Sequence, residues 1–269
     1  YMVQLGRYLG NLVFHLDMGT SYKTNMPVSM ELLSRFPNTM KIALSSIVLT
    51  MLIGIPIGIR AAIKANTFED RLSMFVSLLG TALPNFWMAL LLILLFSVTL
   101  KWFPSNGDKS WKYFVLPAIS NSIGSIAMIA RQTRASMLEV IRSDYVVTAR
   151  AKGVPERKVI LGHALPNALI PIITVCGGSF GMLLGGAIIT ESVFSISGIG
   201  TYLLTGINSR DYNVVQGSVL YIAATFAVLM LIIDVLYAYV DPRIKAQYVQ
   251  SGRKGKENGI KFFIISAIG

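Results

Sequence analysis

The chain has 269 residues, of which 54% are hydrophobic and only 14% are charged, and its mean hydropathy is +0.61. Soluble domains carry about 25% charged residues, so this composition excludes an ordinary soluble protein and predicts a polytopic membrane protein. The formal net charge of +11 does not indicate a nucleic-acid-binding protein, because the cations lie in a few loops between apolar segments. The single cysteine, Cys176, excludes an internal disulfide, and its apolar surroundings predict a small packing residue.

The N-terminal stretch precedes the first apolar segment and is predicted to lie outside the membrane. Apolar residues recur near the helical period between Val3 and Leu16. This spacing predicts a short amphipathic helix at the membrane interface. The stretch has no signal-peptide pattern.

Five segments are long and apolar enough, or nearly so, to cross a membrane, which requires about 20 mostly apolar residues. They are residues 40–63, residues 73–100 with a break at Pro84, a segment that starts near Leu116 and becomes polar after Ala130, residues 168–190 and residues 214–240. The third fails a simple hydropathy criterion, but its small and hydroxyl side chains favour the interior of a helix bundle. Pairs of glycines four residues apart predict close helix packing at Gly54 and Gly58, Gly177 and Gly181, and Gly181 and Gly185.

The distribution of lysine and arginine predicts the orientation of these spans. The loops that follow the first, third and fifth spans carry twice as many of these residues as the remaining loops. Cytoplasmic loops carry such an excess, so residues 144–166 and the C-terminus are predicted to lie inside and the N-terminus outside. The predicted organisation is an external segment over residues 1–37, a membrane domain over 38–245 and a basic tail of unassigned role over 246–269.

The segment 144–171 is a polar, basic island between two apolar segments. Residues that favour helix precede Gly153, which suits a left-handed helix stop, and Pro155 suits the first turn of a second helix. The pattern therefore predicts a helix, a sharp turn and a second helix that ends at Leu165 and Pro166. Small side chains at Ala149 and Ala151 are expected to let a partner surface come close. A basic hairpin bound to anionic lipid is the alternative that the residues alone leave open.

The island resembles the cytoplasmic coupling loop of ABC-importer permeases. Val147-Thr148-Ala149, Gly153 and His163-Ala164-Leu165-Pro166 follow the spacing of that family's motif, although its Glu and one of its Ala residues are absent. TARAKG at residues 148–153 is similar to the peptide and nickel branch of the family. Other segments, between about Tyr8 and Lys245, resemble dipeptide and oligopeptide permeases: LDMGTSYKTNMPV, RQTRASMLEVIRSDY, HALPNALIPIIT, ESVFSISGIGTYLLTGINSRDYNVVQG and DPRIK.

The resemblance implies an all-α, type I ABC-importer transmembrane domain with five spans here and the family's first helix missing. It implies three kinds of partner, namely a second homologous permease, two ABC ATPase subunits and an external substrate-binding protein, in a bacterial or archaeal inner membrane. The residues expected to contact the ATPases are Val147, Thr148, Ala149, Arg150, Ala151, Lys152, Gly153, Val154, Pro155, Glu156, Arg157 and Lys158. Because the chain has no G-x-x-x-x-G-K-[ST] sequence, ATP and Mg²⁺ are expected on the partner subunits, and neither a cofactor nor a metal on this chain.

The function expected from this resemblance is an ATP-driven, binding-protein-dependent import of di- and oligopeptides by alternating access. Nickel-chelate and glutathione import are alternatives within the same family. An ATP-independent channel or secondary transporter is an alternative of another class. An intramembrane enzyme is not favoured, because the sequence has no H-E-x-x-H motif and no pair of carboxylates in facing spans.

Polar residues within the third and fourth predicted spans are candidates for lining a translocation pathway. They are Ser120, Asn121, Ser122, Ser125, Thr174 and Ser179. Hydrogen bonding between helices is the alternative role for the same residues.

The remaining polar candidates are single residues. Glu191 and Asp211 are predicted outside, where a binding protein is able to dock, and Asp234 in the last span is expected to have a structural role. His15 and His163 are predicted on opposite sides of the membrane, which excludes a shared metal site. We expect His163 to be a packing or capping residue.

Overall fold

The computed structural model describes residue 10 and residues 17–240 of the chain. Apart from one isolated bridge between Thr20 and Pro27, the regular structure of these residues is helical. The helices are α1 (Val28–Ile63), α2 (Phe68–Ala82), α3 (Asn85–Leu92), α4 (Lys112–Ile141), α5 (Asp144–Ala151), α6 (Leu165–Val193), α7 (Ile199–Asn208) and α8 (Tyr212–Val240). One segment of π-helix, Ile93–Thr99, follows α3, and another, Val159–Ala164, precedes α6. The predicted all-α class is confirmed.

Four helical stretches are each long and apolar enough to cross a membrane, and a bent pair makes a fifth. The four are Val28–Ile63, Lys112–Ile141, Glu156–Gly185 and Tyr212–Ile233. The pair, Phe68–Ala82 and Asn85–Thr99, is bent by 101° at the predicted break, where Leu83 and Pro84 are extended. Proline has no N–H for the helical ladder and its ring clashes with the preceding turn, which explains the break. The structure therefore has four spans, or five if the bent pair forms one span, which agrees with the five that were predicted.

Helix α4 is the interior helix of the bundle. It packs against α1, α2, α3 and α6. Half of the residues in its most apolar stretch are buried, which is a larger share than in the other three long spans. The predicted interior position is therefore confirmed. The prediction that this span fails a hydropathy criterion is wrong, because the helix begins at Lys112 and gains the apolar residues that follow it.

Contacts divide the chain into two units, residues 1–226 and residues 227–269. The first unit contains α1 to α7 and the beginning of α8. Of the second unit, the structure describes residues 227–240, which form the end of α8. In the first unit, the turn between α1 and α2 lies at the same end as α5, and we call this the inner end. Asn38 of α1, at the opposite end, donates hydrogen bonds to Asp108 and to the Ser197 carbonyl, so two connecting segments meet α1 at this outer end.

The closest approach of α1 to α4 depends on the predicted glycine pair. A Cβ atom at Gly58 would lie 2.5 Å from the Ala130 carbonyl oxygen and from Thr133 Cβ, and one at Gly54 would lie 3.0 Å from the Ile126 carbonyl oxygen. Backbone atoms cannot move aside as a flexible side chain does. The small-residue spacing therefore sets the distance between these two helices.

Replacing Gly58 with alanine is expected to lower the free energy of unfolding by about 1–3 kcal/mol, because the added methyl group pushes α1 away from α4. Denaturant-induced unfolding in detergent measures the change. Gly178→Ala is the matched control, since a Cβ there meets no atom within 4 Å and alanine favours helix more than glycine does. Equal stability of the two variants would contradict the close packing.

Candidate coupling site

Helix α5 stands at the inner end and is anchored by one buried side chain. Val146 is fully buried in an apolar cluster with Met137 of α4 and with Val159 and Ile160, which lead into α6. The start of the helix is fixed as well, since the Ser143 hydroxyl donates a hydrogen bond to the Val140 carbonyl (2.6 Å). The helix is therefore fastened directly to the ends of two membrane helices.

A sharp turn at Gly153 follows α5, as predicted. Gly153 has φ of +74°, and its N–H donates to the Arg150 carbonyl (2.9 Å). This left-handed conformation favours glycine. The Arg150 guanidinium spans the turn and donates two hydrogen bonds to the Glu156 carboxylate (2.6 and 3.1 Å). Both side chains are exposed, so this ion pair orders the turn more than it stabilises the fold.

The second helix of the predicted hairpin does not end at Leu165 and Pro166. The helical turn Glu156–Lys158 and the π-helical segment Val159–Ala164 run on into α6. Proline cannot donate the helical hydrogen bond and its ring crowds the carbonyl one turn earlier. The wider π turn precedes Pro166 and makes room for it, so the chain continues as a helix.

Ten of the twelve predicted coupling residues are exposed, and two pack inward. Ala149 and Val154 are partly buried against the inner apolar cluster, so the prediction that Ala149 offers access to a partner is wrong, whereas Ala151 is exposed. The turn of α5 that bears Val146 faces the bundle, and this brings Ala149 to the same side. The exposed residues are Val147, Thr148, Arg150, Ala151, Lys152, Gly153, Pro155, Glu156, Arg157 and Lys158.

Two apolar side chains beside this turn were not predicted as part of the site. Tyr145 and Leu161 are 45% and 47% exposed, close to the 53% of Val147. They were missed because the segment is polar overall. Two large apolar residues in a basic loop could nevertheless have been recognised as candidates for contact with a partner. His163 is also exposed, so packing is wrong as its role, whereas capping stays a prediction. The inner surface thus combines cations with exposed apolar side chains, a composition that suits a protein partner.

A buried ion pair supports the inner end next to α5. Asp70, at the start of α2, accepts hydrogen bonds from the Arg134 guanidinium of α4 (2.5 and 2.7 Å) and from the Asn66 N–H (2.9 Å). The neighbouring Glu69 instead pairs with Arg60 and Lys64 at the surface. The pair of Asp70 and Arg134 fixes the α1–α2 turn to the helix that carries Met137, beneath α5.

Replacing Asp70 with asparagine is expected to cost about 2 kcal/mol of stability. Breaking a buried pair costs about 3–5 kcal/mol, and we reduce this figure because a quarter of the Arg134 side chain is exposed. Glu69→Gln, one residue away, removes only surface pairs and is expected to have little effect. Unfolding of both variants in detergent tests this. Equal losses would show that the buried pair has no special role.

Residues 54–246 match the family described as "Binding-protein-dependent transport system inner membrane component". The chain belongs to this family. It is 41% identical over 273 residues to the dipeptide transport system permease protein DppB of Alkalihalophilus pseudofirmus, which covers 91% of this chain and 82% of that protein. It is 42% identical over 243 residues to the glutathione transport system permease protein GsiC of Salmonella paratyphi A, with coverage of 90% and 79%.

Solved structures show the same fold at low sequence identity. An inward-facing structure of the MetNI methionine ABC transporter aligns with a TM-score of 0.68 and 18% identity, over 79% of this chain and 97% of that chain. An amino acid ABC transporter aligns with a TM-score of 0.59 and 16% identity, over 80% and 94%. The predicted family, the ABC-importer fold and the position in the inner membrane as a multi-pass protein are confirmed.

Four of the six predicted pathway residues of this permease are buried within the chain, namely Ser120, Asn121, Ser122 and Ser179. Asn121 donates hydrogen bonds to the Leu183 carbonyl (3.1 Å) and to the Ser46 hydroxyl (3.4 Å), and it thereby joins α4 to α6 and α1. Ser120 donates to the Pro117 carbonyl (3.0 Å), and Ser179 is buried in α6. A side chain that lines a translocation pathway has to be accessible to the solute, which a buried side chain is not. These buried residues therefore fit the alternative, structural role.

The other polar residues of the predicted pathway differ in exposure. Thr174 is exposed on α6, Ser125 is half-buried, and Ser122 is buried with its hydroxyl donating to the Ile119 carbonyl (2.9 Å). Cys176 is buried in the inner apolar cluster, which confirms its role in packing. Of the six predicted pathway residues, Thr174 is the one that is exposed.

The letters of residues 177–181, G-G-S-F-G, match the G-x-S-x-G pattern of serine hydrolases. That pattern is functional at a sharp turn between a strand and a helix, where the serine is exposed. Here it lies inside the continuous helix α6, and Ser179 is buried. The match carries no catalytic site.

The two acidic residues at the outer end are buried, so their predicted role in docking is wrong. Glu191 accepts hydrogen bonds from the Thr39 hydroxyl (2.5 Å) and the Thr201 N–H (3.1 Å), at the start of α7. Asp211 accepts them from the Ser21 hydroxyl (2.7 Å) and the Val214 N–H (3.3 Å), at the start of α8. Carboxylates are favoured at helix N-termini, and these two fix the outer helices.

The environment of Asp211 keeps its carboxylate charged. Burial raises the pKa of Asp211, whereas hydrogen bonds from the Ser21 hydroxyl and from the N–H groups of Val214 and Lys23 lower it. The hydrogen bonds together outweigh the burial, so the pKa lies below its usual value. The bond to Ser21 also fastens the segment that precedes α1.

His15, the side chain of Asp234 and the tail 246–269 lie outside the described parts of the chain.

Proposed function

We propose that this chain is the permease subunit of an ATP-driven, binding-protein-dependent importer of short peptides, and that α5 with its turn docks an ATPase subunit. The observation that carries the proposal is the exposed helix and turn at the inner end, held to the bundle by Val146. A rigid element fastened to two membrane helices transmits a rigid-body movement, which a loose loop does not. The sequence lacks a nucleotide-binding loop of the G-x-x-x-x-G-K-[ST] type, so hydrolysis is assigned to a partner.

The mechanism that we propose is alternating access driven from the inner end. An ATPase that grips α5 moves Val146, and through its cluster it moves the end of α4 and the beginning of α6 together. ATP drives this change only if the ATP-bound partner favours one permease conformation over the other. ATP and Mg²⁺ belong to the ATPase subunits, and this chain acts as the transport subunit without catalytic residues of its own.

The proposed assembly contains a second permease, two ATPases and an external binding protein. Transport through a cavity between two permeases needs an exposed helix face with room for a solute. Helix α6 offers one, because its exposed residues recur at intervals of three and four. In the middle of the helix, over residues 174–185, they are Thr174, Gly178, Met182 and Gly185. We assign this face of α6 to the pathway, with the Thr174 hydroxyl near its inner end.

Short peptides are the proposed substrate class. The relatives named above are a dipeptide permease and a glutathione permease, and glutathione is itself a tripeptide. The substrates in both names have a peptide backbone and charged ends. Glutathione is the second candidate, favoured by 42% identity to GsiC, whereas the nickel-chelate alternative stays a prediction from the sequence.

Purification of the tagged chain in mild detergent, with mass spectrometry of the proteins that accompany it, tests the proposal. We expect a second permease and an ATPase, and we expect the reconstituted assembly to take up dipeptides only with ATP and a binding protein. A chain that purifies alone and moves solute into liposomes without ATP would exclude the proposal in favour of a channel or secondary transporter. Competition with glutathione in the same assay separates the two substrate candidates.

A further inference from the structure

An open groove of about 750 Å³ runs along the outer half of the bundle, between α1 and the beginning of α4. Leu44, Val48 and Leu49 form the wall on α1, and Val115 and Ile119 form the wall on α4. The volume lies within the range of small-molecule sites, about 300–1,000 Å³. The groove belongs neither to the coupling site nor to the exposed face of α6.

The polarity of the groove changes along its length. Its outer end is lined by Lys41, Lys109 and Ser110, whereas the walls further in are apolar apart from Ser45, whose hydroxyl donates to the Lys41 carbonyl. Helix α1 rises about 1.5 Å per residue, so the distance from Lys41 to Leu49 is about 12 Å. Half the hydrocarbon thickness of a bilayer is about 15 Å. The groove therefore covers about one membrane leaflet, with its charged end at the level of the head groups.

The charges at the outer end favour an anion. Lys41 is held above the groove, with its Nζ 5.2 Å from the centre of the Phe114 ring and donating to Asn38 Oδ1 (3.2 Å). The one acidic residue of the lining, Asp108, already accepts a hydrogen bond from Asn38 Nδ2 (3.0 Å). Lys109 is exposed beside it. Two lysines against one engaged carboxylate leave a net positive site.

We infer that this groove binds an anionic glycerophospholipid of the outer leaflet. The phosphate lies near Lys41 and Lys109, and an acyl chain lies along Val48 and Ile119. The exposed indole of Trp111 at the same end is typical of the head-group level. A phospholipid matches both the cationic end and the apolar walls at the observed spacing. A protein helix would have to supply an acidic residue at this same depth.

The test is lipid binding to the full chain with its co-purified partners in detergent, measured by native mass spectrometry during titration with palmitoyl-oleoyl phosphatidylglycerol. A lysine near a membrane surface contributes roughly fivefold to the binding of anionic lipid. The double variant Lys41→Gln/Lys109→Gln is therefore expected to bind about 25-fold more weakly. The control is Lys23→Gln/Lys101→Gln, which removes two exposed lysines outside the groove, and its affinity is expected to be unchanged.

A second variant tests the apolar part of the groove. Val48→Trp fills the groove and keeps both lysines, and it is expected to weaken phosphatidylglycerol binding as well. Three results would overturn the inference. They are equal binding of phosphatidylcholine, full competition by inorganic phosphate, which would show a bare anion site, and cross-linking of Val48→Cys to another protein segment without bound lipid.

Discussion

Replacing Gly153 with leucine is expected to abolish ATP-dependent transport while the chain still inserts and folds. Leucine at φ of +74° costs about 1–2 kcal/mol of backbone strain. The chain itself has room for the side chain, because a Cβ at Gly153 meets no atom within 4 Å. The bulk therefore projects into the space that the ATPase is proposed to occupy. We expect at least about tenfold weaker retention of the ATPase, equivalent to about 1.4 kcal/mol.

Gly153→Asn is the matched control, since asparagine adopts the left-handed conformation more readily than leucine and is polar. We expect it to retain more transport than the leucine variant. ATPase co-purification and peptide uptake in proteoliposomes are measured on both, and the yield of folded chain is measured alongside. Normal uptake by Gly153→Leu would exclude docking at this turn. Loss of folded chain in both variants would show that the turn acts in folding instead.

The number of spans and their break at Pro84 were predictable because the bilayer fixes the length of an apolar segment. The beginning of α1 was not. The predicted span starts at residue 40, whereas the helix starts at Val28. Val28 and Leu32 are buried against Met18 and Tyr202 at the outer end. This contact depends on residues far apart in the sequence, so a hydropathy pattern does not reveal it.

The coupling turn was predictable from local chemistry, because Gly153 and Pro155 each restrict the backbone at their own position. The orientation of its side chains was not. Ala149 and Ala151 look alike in the sequence, but Val146 decides which of them faces the bundle. The docking role predicted for Glu191 and Asp211 at the outer end was wrong for the same reason. An acidic residue in a loop is usually solvated, and only the fold brings Thr39 to Glu191.

Replacing Glu191 with alanine is expected to lower the free energy of unfolding by about 3–5 kcal/mol. A buried donor, the Thr39 hydroxyl, and a half-buried donor, the Thr201 N–H, lose their acceptor at about 1–3 kcal/mol each, and a cavity remains. Thr39 Oγ1 also accepts the Ile199 N–H (2.9 Å), so the loss spreads to the start of α7. A Cβ at Gly198 would overlap the carboxylate, which explains a glycine there.

The Glu191 variants also decide between burial and docking as the role of this residue. Ser192→Ala, at the exposed neighbouring position, is the control, and unfolding in detergent together with proteolysis of residues 194–198 is the measurement. Glu191→Gln keeps the side-chain volume but brings an NH₂ group towards one of the two donors. Its free energy of unfolding is therefore expected to lie between those of Glu191→Ala and the parent chain. If Glu191→Ala unfolded like the parent and lost only affinity for the binding protein, the carboxylate would act at the surface. Its contacts with α1 and α7 would then be incidental, and the outer helices would have to be held by their apolar cluster alone.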